Sequence, residues 1–276
     1  MTTPFHCGRF VLDVDRPLLM GIVNLTDDSF SGDGLHGDTE RAVARALDLQ
    51  AQGAHIIDLG AESSRPGAQP IPAARELSLL LPVIERLREC GAPLSVDTVK
   101  PEVMREVLAA GADMINDIAA LEAPGALAAI AASRAAVCLM HKQGAPATMQ
   151  DAPHYDDVVA DVAGYLAERV ASAEAAGIAR ERICVDPGFG FGKSLEHNLD
   201  LLRRLPELVV PGMPLLVGLS RKSMLGLLSG RAVGERVFAS VAAQVIAVLR
   251  GARIVRVHDV AAMRDALAVV NAVEDW

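Results

Sequence analysis

Aromatic residues are scarce in this chain, at 3% of 276, and so is every feature that would take it into a membrane or onto nucleic acid. No apolar run reaches the roughly 20 residues that a bilayer-spanning helix needs, and the opening MTTPFHCGRFVLDVD has no hydrophobic stretch of the signal-peptide kind. The formal net charge is −9, which argues against nucleic acid or an anionic membrane as the general partner. The four cysteines (Cys7, Cys90, Cys138, Cys184) show no CxxC or Cys/His metal spacing. Cys138 and Cys184 fall inside the apolar runs AVCLM and RICVD, where a thiol behaves as a small hydrophobe. These absences predict a cytoplasmic protein in a reducing compartment. No composition break or linker divides the chain, so residues 1–276 read as one domain.

Ala, Val, Leu and Ile make up most of the 51% hydrophobic content. Small and branched side chains of that kind fill a barrel interior and the layer between its sheet and helices. Short apolar runs alternate with amphipathic segments, the signature of repeated βα units and a parallel sheet. The predicted strands are 18–25, 55–60, 93–98, 114–118, 136–141, 183–187, 214–220 and 253–259. Helical patterns occupy 39–53, 74–90 and 156–177, and Gly53, Gly91, Gly111, Gly177 and Gly251 each stand where a helix gives way to the next strand. Eight such units suit a large doubly wound sheet or a (β/α)8 TIM barrel; no dinucleotide fingerprint follows the first strand, so the barrel is preferred.

A barrel of this class carries its active site at the C-terminal ends of its strands. Those ends hold Asn24, Glu62 to Arg65, Asp97, Asn116, His141, Asp186, Ser220 to Ser223, and Arg256 with His258. One buried polar group is commonly a satisfied core residue, but one at every strand end points to function. Period-two spacing puts Arg256 and His258 on one face of the last strand with Ile254. Neighbouring cations repel unless an anion lies between them or local carboxylates pair with them. With Arg65, Arg221 and Lys222 on the same rim, an anion such as pyrophosphate is the favoured reading. Deeper, Asp97, Asn116 and Asp186 suit a flat heterocycle with adjacent N–H donors, with Lys222 donating to a ring carbonyl or nitrogen. The competing reading, carboxylates around a metal, lacks a His or third carboxylate. Loops 24–34 and 61–72 are rich in small and turn-forming residues and suit mobile lids or plain surface turns. DPGFGFGKS (186–194) imitates a P-loop but has Pro187 where Gly is required. Lys193 is therefore read as a loop or helix-start residue, His154 and His197 as surface or capping residues, and His141 as a support for the site.

The segments MGIVNLTDDSFS, DLGAESSRPGA, SVDT, INDI, LMHKQG, DPGFGFGKSLEHN, GLSRKS and IVRVHDV, collinear from about residue 18 to 260, resemble the dihydropteroate synthase family. The resemblance implies condensation of 6-hydroxymethyl-7,8-dihydropterin pyrophosphate with p-aminobenzoate, a Mg2+ cofactor and a homodimer. Carried over by position, Asp97, Asn116, Asp186 and Lys222 would hold the pterin, with Arg256 stacking on it. Asn24 would ligate Mg2+. Ser64, Arg65, Arg256 and His258 would bind pyrophosphate, with Ser64 standing where the family usually has Thr. Phe30, Pro66, Phe191 and Ser223 would bind p-aminobenzoate. Two alternatives share the pocket: a methyltetrahydrofolate-type methyltransferase, which needs neither the Arg256–His258 pair nor the SRKS segment, and a catalytically weak paralogue, which the altered loop 24–34 motivates.

Overall fold

The computed structural model describes residues 4–26, 35, 38–63, 70–144, 149–150 and 152–275. After a short hairpin, β1 (Phe5–Cys7) and β2 (Phe10–Leu12), the strands and helices alternate. The first half runs β3 (Leu18–Asn24), α1 (Thr39–Ala51), β4 (Ile56–Gly60), α2 (Ala73–Leu87), β5 (Leu94–Asp97), α3 (Pro101–Ala110), β6 (Met114–Asp117) and α4 (Ala126–Ala131). The second half runs β7 (Ala136–Met140), α5 (Val158–Ala175), β8 (Ile183–Asp186), α6 (Leu195–Arg203), β9 (Leu216–Val217), α7 (Ser223–Ser229), α8 (Val237–Leu249), β10 (Ile254–Val257) and α9 (Val260–Val273). Strands β3 to β10 form one eight-stranded sheet in the order β8-β7-β6-β5-β4-β3-β10-β9. A parallel bridge between Val185 and Leu215 joins its two ends, so the sheet closes into a (β/α)8 TIM barrel.

Local chemistry sets the helix limits. Asp38 opens α1 by accepting from the Arg41 N–H at 3.1 Å, and Ala42, Val43, Ala46 and Leu49 then recur on the face turned to the sheet. Asp157 caps α5 in the same way through the Val159 and Ala160 N–H groups. At the far end of α3, Gly111 takes φ 116°, a left-handed conformation that lets the chain reverse into β6. The other four glycines expected at helix ends also have positive φ.

Each strand faces two cores. Residues such as Val23, Leu59, Val96, Ile115 and Val255 pack outward against the helices, in the larger core. Met20, Ile56, Met114, Cys138, Cys184, Leu216 and Ile254 fill the barrel interior. Both Cys138 and Cys184 are fully buried, as small hydrophobes.

Two features differ from the sequence pattern. Three-residue strands are too short to show a period, so the hairpin β1–β2 was not legible; it inserts Phe5 and Cys7 into the interior core at the N-terminal end of the barrel. Asp113 fastens it there, accepting from the Arg9 backbone N–H at 3.1 Å, from Arg9 Nε at 2.9 Å and from the Leu94 N–H at 3.2 Å. The strand expected over 214–220 also shrinks to Leu216–Val217 in the ladder. Beyond it the chain turns out through Arg221, at φ 59°, which sets Lys222 at the start of α7.

Candidate active site

The pleat of each strand determines which residues reach the barrel mouth. On β10 the interior face carries Ile254, then Arg256, while Val255 and Val257 belong to the outer core. Register aligns the neighbours: Asp97 pairs with Asn116, Met140 with Asp186, and Gly60 lies between Asn24 and Asp97. The result is a cavity of about 220 Å3 at the C-terminal ends of the strands. Its deep wall is made by Asp97, Asn116, Asp186 and Lys222, and its rim by Asn24, Arg256, His258, Phe191 and Ser223.

An ion cluster ties the Arg256 guanidinium to the carboxylates below it. Arg256 Nε donates to Asp58 Oδ2 at 2.6 Å and its Nη2 to Asp97 Oδ2 at 3.1 Å, while Asn116 Nδ2 reaches Asp58 Oδ2 at 3.4 Å. Burial pushes the Asp97 carboxyl up to about 7; Arg256 pulls against this and Asp58 adds to it. Burial also raises Asp186, opposed by the Gly188 N–H at 2.7 Å and by the Lys222 charge. On Arg256, burial disfavours the cation, but Asp58 and Asp97 outweigh it, so its pKa ends above the ordinary value.

Lys222 closes the other side. Its Nζ donates to the Phe189 carbonyl at 2.7 Å and lies 4.1 Å from the centre of the Phe191 ring. Burial brings it down to about 8 in spite of Asp186. Two carboxylates, an amide and an ammonium around one slot can read a flat ring bearing several N–H donors and an acceptor. The rim adds a guanidinium and an imidazole, with an aromatic face at one edge.

A family model described as pterin binding enzyme matches residues 20–258. Dihydropteroate synthase of Escherichia coli (strain K12) is 50% identical over 262 residues, spanning 95% of this chain and 93% of its own.

This chain belongs to the dihydropteroate synthase family.

Solved structures of that family superpose closely. The enzyme of Burkholderia cenocepacia, complexed with 7,8-dihydropteroate, gives a TM-score of 0.91 at 50% identity, over 99% of this chain and 96% of that one. The Xanthomonas albilineans enzyme with 4-aminobenzoic acid gives 0.92 at 53% identity, over 99% and 98%.

The described residues bring together most of the side chains that the dihydropteroate synthase resemblance singles out: Asn24, Asp97, Asn116, Asp186, Phe191, Lys222, Ser223, Arg256 and His258. Phe30, Ser64, Arg65 and Pro66 lie outside the described residues. Carboxylate pairing, the alternative to an intervening anion, describes Arg256 here, and His258 Nδ1 lies 2.9 Å from Ser220 Oγ. Arg221 is committed elsewhere, to Asp259 at 2.6 Å. His197 completes a capping box with Ser194, and His154 is exposed, in line with the roles read for them.

Three features escaped the sequence reading. Asp58 sits unannounced within the apolar strand HIIDLG. Lys193 is a loop residue, as expected, but is buried: its Nζ meets His141 Nδ1 at 2.9 Å and the carbonyls of Gly188 and Phe191 at 3.0 and 3.1 Å. Burial lowers Lys193 to about 7, and burial with the Lys193 charge lowers His141 to about 3. Lys100 bridges Glu62 at 2.5 Å and the fully buried Glu76 at 2.6 Å, and Glu62 also accepts from the Ile71 N–H at 2.9 Å. The only signal for Asp58 was a charge placed among apolar neighbours.

Proposed function

We propose that this chain condenses 6-hydroxymethyl-7,8-dihydropterin pyrophosphate with p-aminobenzoate, giving 7,8-dihydropteroate and pyrophosphate. The observation that carries the reading is one cavity in which acceptors for a pterin edge lie directly below a cationic, aromatic-edged rim. Asp97, Asn116 and Asp186 accept from the pterin N–H groups and Lys222 donates to its carbonyl or ring nitrogen. Arg256 lies against the ring and, with His258, Ser64 and Arg65, binds the pyrophosphate. Phe191, Phe30 and Pro66 wall the p-aminobenzoate ring, and Ser223 meets its carboxylate.

The bond from the pterin methylene carbon to oxygen breaks first, and both electrons leave with pyrophosphate. The electron-rich pterin ring spreads the positive charge left on the methylene. The amine of p-aminobenzoate then donates its lone pair to that carbon and loses a proton to bulk water. No protein nucleophile is required; the chain contributes placement and charge.

Mg2+ fits this scheme through Asn24. The carboxamide of Asn24 lies on the rim near Asp97, with only Gly60 between them in register. Among the described residues no three His, Cys, Asp or Glu side chains gather to hold a metal. A single amide ligand suits an ion that keeps its waters and draws its other ligands from substrate phosphates. When bound, Mg2+ would neutralise charge on the departing pyrophosphate.

We also place the protein in the cytoplasm, as a homodimer. No described helix is long and apolar enough to cross a membrane. Leu227 and Leu228 on α7 and Phe238 and Leu249 on α8 are 70%, 56%, 88% and 52% exposed, and a second copy of the chain covering that face would bury them.

The test is a coupled assay on purified, folded protein. Pyrophosphate release is expected only with pterin pyrophosphate and Mg2+ present, and pteroate formation only when p-aminobenzoate is added. Sulfonamides, as p-aminobenzoate mimics, are expected to compete. Absence of both products refutes the proposal. Sedimentation of wild type against Phe238→Glu, expected as dimer and monomer, tests the assembly.

A further inference from the structure

Asp58 has no role in the condensation scheme, yet the most important cation of the site hangs from it. It lies mid-strand on β4, fully buried, one layer below Gly60 and the rim. A carboxylate there touches no ligand. It is nevertheless the shorter of the two holds on Arg256, at 2.6 Å through Nε, against 3.1 Å from Nη2 to Asp97. The two carboxylates differ in kind: Asp97 lines the cavity, and Asp58 does not. Among the described residues Arg256 is the only cation that pairs with Asp58, and the other Asp58 oxygen, Oδ1, has no partner.

This asymmetry has a chemical consequence, which rests on the pterin-binding reading of the cavity. Arg256 Nη2 takes one acceptor site on Asp97 Oδ2, and its hydrogens are the ones an entering pyrophosphate would claim. A pyrophosphate that takes them draws Arg256 off Asp97. A buried guanidinium that lost its sole counter-ion would be strongly destabilised. We infer that Asp58 is a positioning residue that anchors Arg256 through Nε, so that the outer nitrogens can pass from Asp97 to the incoming pterin pyrophosphate without leaving the cation uncompensated. Nε is the nitrogen nearest the side-chain stem. Holding it fixes the root of the guanidinium and leaves the two Nη atoms as the groups that exchange partners. Asn116, whose Nδ2 also turns to Asp58 Oδ2, keeps its carbonyl oxygen for the cavity.

Asp58→Asn tests this by keeping an oxygen toward both donors and removing only the charge. Calorimetric titration with pterin pyrophosphate is expected to show Kd raised by roughly tenfold or more, because Arg256 is left to Asp97 alone. The KM for p-aminobenzoate at saturating pterin is expected to stay within about twofold, since that subsite touches neither residue. In an Arg256→Gln background, Asp58→Asn is expected to add less than about twofold, because its effect runs through the guanidinium. That comparison also serves if Asp58→Asn alone does not fold, since the double variant buries no unpaired cation. Wild-type-like pterin affinity in Asp58→Asn overturns the inference. So does a tenfold loss that persists without Arg256, or a parallel loss for both substrates with a lowered Tm. Turnover by the wild type tests the parent reading separately, so a wild type that reacts beside an Asp58→Asn variant that binds normally refutes only the role of Asp58.

Discussion

Replacing Lys222 with Met isolates one charge at the deep end of the cavity. Met keeps the apolar stem beneath Phe191 and removes the ammonium that donates to the Phe189 carbonyl at 2.7 Å. Asp97 and Asp186 feel the charge of Lys222 and Arg256, and Asp186 that of Lys193 as well. Removing Lys222 makes the cavity more negative where an anionic substrate is expected to enter. A hydrogen bond from a charged donor is worth about 1.5–3 kcal/mol, so Kd for pterin pyrophosphate should rise roughly 10- to 150-fold. Folding stability should change far less. One carbonyl loses a donor, but the protein no longer buries an ammonium whose pKa has already fallen to about 8. Titration calorimetry in Mg2+ buffer, with thermal unfolding beside it, separates the two effects. The pH dependence gives a second reading. In wild type, affinity should fall as pH rises through about 8 and Lys222 loses its proton, and this limb should be absent in Lys222→Met. A variant that binds within threefold of wild type, or that keeps the alkaline limb, would show that Lys222 does not donate to the ligand.

Other expectations rest on separate features. Because the Asp97 carboxyl sits at about 7, lowering pH through that value should protonate it and weaken pterin binding; Asp97→Asn should remove this acid limb along with the affinity, as binding titrations from pH 5.5 to 9 would reveal. Asp113→Ala should cost about 2–4 kcal/mol in urea unfolding by stranding the Leu94 N–H and loosening the half-exposed Arg9, with KM values unchanged because the site is at the opposite end. At Gly188, φ is 68° and an added Cβ would collide with the His141 carbonyl. Gly188→Ala should therefore shift the β8–α6 loop, pulling Phe189 away from Lys222 and lowering kcat/KM by roughly tenfold or more in steady-state assays.

The barrel was legible because its signal is local. Runs such as LLMGIVN and AVCLM are apolar on both faces, as strands covered on both sides must be, and the structure trims their expected limits by only a residue or two. The site was legible in part for the same reason: polar residues that end apolar strands stand out. Asp58 did not stand out, because its meaning lies in a partner 198 positions away, and no spacing rule connects it to Arg256. Lys193 and Lys100 were hidden differently. Each is a basic residue in a polar-looking segment, and only the fold reveals that one is enclosed by carbonyls and the other by Glu62 and Glu76. The shortened β9 reflects a tertiary demand: the chain must leave the ladder early to turn at Arg221 and deliver Lys222.

The hairpin that inserts Phe5 and Cys7 beneath the barrel has a consequence for traffic through the site. With the interior packed by Met20, Ile56, Met114 and Ile254 as well as by Phe5 and Cys7, the cavity opens at the strand ends. On the proposed assignment, the pterin acceptors lie at the base of that cavity and the p-aminobenzoate subsite near its lip. A p-aminobenzoate that arrives first would stand in the doorway of the deeper compartment. On that assignment the pterin is expected to enter before it, with pyrophosphate, held at the rim, departing while the joined product still fills the shaft behind it; product-inhibition kinetics check this order. That order would be set by a packed interior, sealed at its far side by a hairpin that touches no reactant.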